Sequence, residues 1–279
     1  MTAPAEPGPK LDLDSAELAR DYDQVSATRQ FESGKRLVAD LAVKPGEHVL
    51  DVGCGTGLLA NYIADQVGPT GMVLGLDPLP HRIALAKART RYNLAFDVGD
   101  ANDLSMLAGA SFDVVVLNAV FHWLPDKAGA LGQFARVLKK GGRIGLSSAE
   151  KGSERAPMHE AIGAALKEPP FDKYPRSREG VAFRVDAPEI RALLEAAGFR
   201  PTLLEERENE QRHASPEAAL RYSEASSFGN VFAHLPAELK PAARQAAIRH
   251  LAAVAGPDGT VVRRGRWLVA VAIMVSPTP

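Results

Sequence analysis

A chain of 279 residues carrying 33 Lys and Arg against 34 Asp and Glu has no global field to draw it to nucleic acid or to an acidic membrane. Its single cysteine, Cys54, excludes an internal disulfide framework and any multi-thiolate metal site built by this chain alone, so no metal is expected. The longest strongly apolar run, Trp267 to Val275, is far short of the roughly 20 residues of a membrane-spanning helix.

Met1 to Pro9 is rich in Pro and Ala without a basic start or an apolar core, so residues 1–13 read as a disordered lead and the protein as cytoplasmic. From Asp14 to Ala42 apolar residues recur at helical spacing in two pieces, with Tyr22 and Asp23 in the first and Phe31, Leu37, Val38 and Leu41 in the second. Pro45-Gly46 turns the chain. His48-Val49-Leu50-Asp51-Val52 then reads as a strand buried on both faces, the kind found in parallel sheets. It breaks into Gly53-Cys54-Gly55-Thr56-Gly57 and resumes as a helix with Leu58, Leu59, Tyr62 and Ile63 on one face. Glycines there let backbone N–H groups approach a ligand, and the helix aims its positive end at it. The dinucleotide fingerprint G-x-G-x-x-G is a rival, but it needs its third glycine where this chain has Leu58.

Asp51-x-Gly53-x-Gly55-x-Gly57 instead resembles the first motif of class I S-adenosylmethionine (SAM)-dependent methyltransferases. The resemblance implies that Asp51, Gly53, Cys54, Gly55 and Gly57 hold the methionine end of SAM. Tyr22-Asp23 resembles the Tyr-Asp pair of the N-terminal lid helices in small-molecule members of the family, which would bring Tyr22 to both cofactor and substrate. A plain core or surface aromatic is the alternative for Tyr22.

Gly68-Pro69-Thr70-Gly71 stops the helix, and Met72 to Leu76 forms a second strand ending in Asp77-Pro78. An acidic residue about 20 positions after the glycine turn, at a strand's carboxyl end, accepts from ribose hydroxyls; SAM and NAD share that sugar, and Asp77 also suits a helix cap. A third strand, Leu94 to Val98, runs into Gly99-Asp100-Ala101. By resemblance Asp100 accepts from the adenine amine and Ala101 offers its backbone to the ring; plain turn residues are the alternative. A fourth strand, Phe112 to Leu117, empties into Asn118-Ala119-Val120-Phe121-His122-Trp123-Leu124. The family resemblance puts Asn118 and Ala119 against the cofactor and His122 and Trp123 near the transferable methyl. His122 is therefore the candidate general base or substrate-orienting residue, since imidazole titrates near neutrality; packing beneath the lid is the rival role. Asp126 caps a helix bearing Leu131, Phe134, Val137 and Leu138, which Lys139-Lys140-Gly141-Gly142 should end with a left-handed cap before a fifth strand, Arg143 to Ser147.

Beyond Ser148 the alternation loosens. A helix is expected over Met158 to Leu166, a capped helix from Asp186-Ala187-Pro188-Glu189 to Gly198, and a strand near Thr202 to Glu206. Two or three helices follow between Ser215 and Ala255, before the last strand, Trp267 to Val275. Tyr174, His213 and Phe228, aromatic residues set among polar ones, are expected to enclose the substrate with Tyr22 and Trp123.

The architecture that the resemblance implies is α/β: a seven-stranded, mostly parallel sheet in the order 3-2-1-4-5-7-6, helices on both faces, N-terminal lid helices and a helical insertion before the last strand. Residues 14–147 make the SAM-binding core with its lid, and 148–279 the C-terminal part of the same fold with substrate-covering insertions. Within the family the chain resembles quinone-biosynthesis C-methyltransferases and trans-aconitate methyltransferase. What this implies is methyl transfer from SAM to a carbon or oxygen, less readily a nitrogen, of a small, largely apolar metabolite, leaving S-adenosyl-L-homocysteine. A non-catalytic SAM-binding or partner-binding protein stands as an alternative. RNA modification is disfavoured, because Lys139-Lys140 and Arg263-Arg264 read as helix-end and solvated-hairpin charges. Arsenic methylation is disfavoured because a thiophilic substrate calls for several cysteines. Oligomeric state is not specified by the sequence.

Overall fold

The computed structural model describes residues 14–152, 157–175, 182–227 and 230–275; the expected lead at 1–13 lies outside them. Seven strands form one sheet in the order β3-β2-β1-β4-β5-β7-β6, as expected. These are β1 (His48–Val52), β2 (Met72–Asp77), β3 (Leu94–Val98), β4 (Phe112–Leu117), β5 (Leu138–Ala149), β6 (Phe199–His213) and β7 (Val261–Met274). Pairing is parallel from β3 across to β5, and β7 runs antiparallel to both β5 and β6.

Helices cover both faces because the central strands are apolar on both. On one side α5 (Lys127–Val137) and α7 (Ala187–Ala196) bury Phe134, Leu131, Ile190 and Leu194 against Leu50, Val115 and Leu146. On the other, α2 (Thr28–Leu41), α3 (Leu58–Val67) and α4 (Pro80–Ala86) set Leu37, Leu41, Ile63 and Ile83 against Val49, Val73, Val114 and Val116. The reciprocal capping box at Asp186 and Glu189 starts α7 as the sequence predicts.

Several boundaries differ from the sequence reading. The two N-terminal helical pieces are one continuous run: α1 (Ala16–Asp21) passes through a π-helical turn, Tyr22–Ala27, straight into α2. Lys139 to Gly142 do not cap α5. Leu138 is already extended, the four residues belong to β5, and Lys139 pairs with Asp113 at 2.8 Å. Strands β6 and β7 are far longer than expected, with 15 and 14 residues, and they stay paired from Phe199↔Met274 to His213↔Val261. Strands of that length reach roughly 50 Å. Their outer ends enter a cap made by α6 (Pro157–Ala165), α8 (Pro216–Ser226) and α9 (Lys240–Ala253). The cap has its own apolar core, in which Met158, Ile162, Phe171, Leu220, Phe232 and Leu251 surround Val261 of β7.

Gly57, at the start of α3, belongs to this packing. It has φ +86°, and a Cβ there would sit 2.7 Å from the Phe96 ring and 3.2 Å from Ala86 Cβ. Its glycine is thus required by backbone conformation and by the closeness of helix and sheet. Gly57→Ala is expected to lower unfolding stability by roughly 1–3 kcal/mol. A urea-unfolding midpoint equal to the parent's would contradict this account.

Candidate active site

At the carboxyl ends of β1 and β2 the glycine turn is tied to the protein itself. The N–H groups of Gly53 and Cys54 both donate to Leu76 O, at 2.7 and 3.0 Å, and that of Gly57 donates to Cys54 O at 3.0 Å. Gly55 N–H donates to Asp77 Oδ2 at 2.9 Å. The expectation that these N–H groups face a ligand is therefore corrected: folding of the turn consumes them. Gly57 does not face the cleft at all, since its Cα side meets Phe96.

What the turn offers instead is a pair of buried carboxyl groups. Asp51 is 2% exposed, and its Oδ2 is buried without a hydrogen-bond partner. Burial, aided by the charge of Asp77, pushes its carboxyl up to about 8. Asp77 is also buried; besides Gly55 it accepts from Leu79 N–H at 3.0 Å. Burial raises its pKa against the opposing pull of Arg82 and the two N–H groups. Each of its oxygens keeps a second lone pair for a ligand. Cys54 is buried beside them and its thiol is pushed well up by burial; with Asp51, Gly53, Thr56 and Tyr22 it lines a small recess.

A cavity of about 210 Å³ opens over this floor. It brings together Tyr22, Gly53, Asp77, Pro78, Asp100 and Ala101 with Asn118, Ala119 and Trp123 from the end of β4. Asp100 Oδ1 accepts from Asn102 N–H at 2.9 Å, the turn role allowed by the sequence, while the side chain stays exposed at the cavity rim. Ala119 has φ +61°, and its N–H donates to Ser147 Oγ, whose hydroxyl donates to Asn118 Oδ1 at 3.0 Å. Tyr22 closes the cavity from above. Arg82 stacks on its ring at 3.7 Å, its hydroxyl donates to Gln30 Oε1 at 2.6 Å, and a Cβ on Gly55 would stand 3.0 Å from the ring.

Gln30 and Arg82 carry no motif and escape the sequence reading. Gln30 O accepts from Asn118 Nδ2 at 2.8 Å, so the lid is fastened to the end of β4. Helical phase was the one available signal for Gln30, which lies two turns beyond Tyr22 in the same helical run.

Gln30, Ala119, Trp123 and Ser226 also line a second cavity, of about 490 Å³, that runs into the cap. His122 is buried on its wall, between Trp123 at 5.1 Å and Trp267 at 5.5 Å between ring centroids. Its Nδ1 accepts from Ala149 N–H at 3.2 Å. Burial holds its pKa well below 6.5, with Arg184, Lys127 and Arg263 adding in the same direction. The ring is therefore neutral and carries its proton on Nε2, which makes it a donor. That corrects the general-base assignment: the nitrogen that could accept is already engaged. Of the other expected substrate residues, Trp123 lines both cavities. Tyr174 is 38% exposed after a short helical turn and lines neither of them. His213 is buried one layer behind the wall, against Tyr222 at 4.9 Å, with Nδ1 accepting from Arg29 at 3.3 Å. Phe228 lies outside the described residues.

Residues 43–173 match the family described as "Methyltransferase domain". This segment is a methyltransferase domain. Demethylmenaquinone methyltransferase of Staphylococcus aureus (strain Newman) is 34% identical to it over 133 residues, which cover 46% of this chain and 55% of that protein. Arsenite methyltransferase of Halobacterium salinarum is 32% identical over 163 residues, covering 57% of this chain and 38% of that protein. The chain thus spans about half or less of the length of these curated relatives. The YcgJ protein from Bacillus subtilis superposes with a TM-score of 0.61 over 88% of this chain and 99% of its own, at 16% identity, so the likeness is one of fold. The α/β architecture of the methyltransferase domain is thereby shared with a solved structure.

The two buried histidines make the stability of the protein pH-dependent. Burial, then Arg29 and Arg263, hold His213 down at about 4, and His122 is likewise neutral when folded. Unfolding releases both to their ordinary 6.5. Below that value the unfolded chain binds protons that the folded chain refuses. Their contribution is complete above pH 6.5 and is lost as pH falls toward 4. Urea midpoints should drop across this window, and His213→Gln should flatten the slope; an unchanged slope in that variant would refute the assignment.

Proposed function

We propose that this chain is a SAM-dependent methyltransferase acting on a small molecule held in the second cavity. The observation that carries the reading is the pair of buried carboxyl groups beneath a turn whose Gly53, Cys54, Gly55 and Gly57 N–H groups are spent, with Asp51 Oδ2 lacking any partner. Such a floor suits a ligand whose buried end is cationic, like the ammonium of the methionine moiety. It is unsuited to the pyrophosphate of NAD, which needs free N–H groups. When bound, SAM supplies a methyl group already activated on a sulfonium.

The residues of the chain bind, orient and exclude water. Asp51 holds the ammonium, Asp77 accepts from the ribose hydroxyls through its free lone pairs, and Asp100 with the backbone of Ala101 meets the adenine. Asn118 and Ala119, braced by Ser147 and Gln30, set the wall where the two cavities join. Trp123 lies on both sides of that junction. Alignment of a nucleophile there contributes on the order of 7–11 kcal/mol in well-oriented systems. His122 directs an N–H at the acceptor molecule and shapes the wall. Carbon and oxygen nucleophiles fit this arrangement. An arsenite substrate, which names one relative, fits poorly, because Cys54 is the sole thiol and lies buried under the turn.

Asp51→Asn separates binding from folding. Loss of the carboxylate is expected to weaken SAM binding by calorimetry roughly tenfold to a hundredfold. The same variant should be more stable than the parent at neutral pH. The unfolded Asp51 ionises near 3.8 and the folded one only at about 8, so the residue opposes folding across that interval. Tight NAD binding with no SAM binding would overturn the cofactor reading. If the protein with SAM and a metabolite extract formed no S-adenosylhomocysteine above the extract-free control, a non-catalytic binding role would replace the enzyme.

Because burial holds the His122 pKa well below its ordinary value and keeps the ring neutral, His122→Ala is expected to lower activity while leaving the shape of the pH–rate profile unchanged. Disappearance of an acidic limb in the variant would restore the general-base role.

A further inference from the structure

Arg263 reads in the sequence as a solvated hairpin charge, and the structure places it inside. It is 7% exposed and lines the second cavity. Its hydrogen bond runs from Nη1 to Gln211 Oε1 at 3.3 Å, a neutral residue directly opposite on β6. Its neighbours on β7 behave otherwise: Arg264 pairs with Glu210 at 3.0 Å and Arg266 with Glu150 at 2.7 Å. No carboxylate among the described residues pairs with Arg263. A guanidinium has five N–H donors, and a single neutral acceptor leaves the charge without a carboxylate partner and further donors available to the cavity.

The surroundings preserve that state. Lys151, Arg184 and Arg263 line the cavity, and no Asp or Glu does so among the described residues. Gln211 is fixed in turn by donating from Nε2 to the Tyr222 hydroxyl at 3.1 Å, so it positions the guanidinium without neutralising it. Tyr222 lines the cavity as well. Arg263, Gly265 and Trp267 share one face of β7, because side chains alternate along a strand. The guanidinium lies back over Gly265, where a Cβ would be 3.8 Å from Nη2. Trp267 then meets His122, beside the junction with the first cavity. The space therefore has cationic groups and no acidic ones in its lining among the described residues, apolar surface from Met158, Ile162, Trp123 and Trp267 among hydroxyls such as Ser223 and Ser227, and Ala119 where it meets the first cavity.

We infer that Arg263 anchors a carboxylate on the methyl-accepting molecule, which is thus an apolar body with an anionic end. This rests on the methyltransferase reading above and gives its substrate a class. A carboxylate fits the guanidinium fork with two parallel N–H···O bonds, and it supplies the countercharge that the fold omits.

Benzoate and benzamide, equal in shape and different in charge, are suitable probes by ligand-observed NMR or calorimetry at millimolar concentration, with and without saturating S-adenosylhomocysteine. The wild-type protein is expected to prefer benzoate by about tenfold or more. Arg263→Gln should abolish that preference, and Arg263→Lys should keep part of it. SAM affinity should be unchanged in both variants, which also reports that they fold. Equal binding of the two probes by the wild-type protein, no detectable benzoate binding, or a preference that survives in Arg263→Gln would overturn the inference. Failure of SAM to bind the wild-type protein would instead sink the cofactor reading, and the benzoate comparison without S-adenosylhomocysteine would still decide the role of Arg263.

Discussion

The Asp77 carboxylate is the tie on which the site depends. With one oxygen it receives Gly55 N–H from the turn after β1, and with the other it receives Leu79 N–H at the entrance to α4. Two crossovers of the sheet are thereby pinned to a single buried group. That group would be costly to bury without such donors. The three positive-φ glycines follow from the same tie, since the chain must turn sharply enough for Gly53 and Cys54 to share one carbonyl, Leu76 O. A floor assembled in this way spends four backbone donors on itself and keeps carboxyl oxygens beneath the cleft.

Local pattern made the central sheet legible. Strands such as Val49–Val52 and Phe112–Leu117 are short apolar runs bounded by turn residues, and their order in the sheet was expected from the family resemblance that the glycine motif carries. The length of β6 and β7 was not legible. Their outer halves, from Glu208 to Arg212 and from Val262 to Arg266, are polar enough to read as loop, and only pairing with each other keeps them extended. In the site, residues carried by a motif came together around the first cavity, although the part played by Gly57 is packing. Gln30, Arg82 and Arg263 were missed because tertiary placement defines them; a basic residue on a polar strand gives no sign of being buried.

The lid and the cap hold the second cavity by different means. The lid is a helical run interrupted by the π-helical turn at Tyr22–Ala27, fastened to the core where Asn118 Nδ2 donates to Gln30 O and where Arg82 stacks on Tyr22. Such an irregular turn is a place where a helix can yield. The cap hangs on continuous sheet, and its own apolar cluster includes Val261 of β7.

Continuous sheet has one more effect. Arg263 and Trp267 are carried by the same strand, four positions apart, so their Cα atoms stand about 13 Å from each other while the guanidinium reaches back over Gly265. No loop intervenes to stretch or shorten that separation. On the reading that Arg263 holds the acceptor, anchor and tryptophan ride on one strand, and the spacing that remains after the guanidinium's reach back over Gly265 selects among acceptors by length as well as by chemistry.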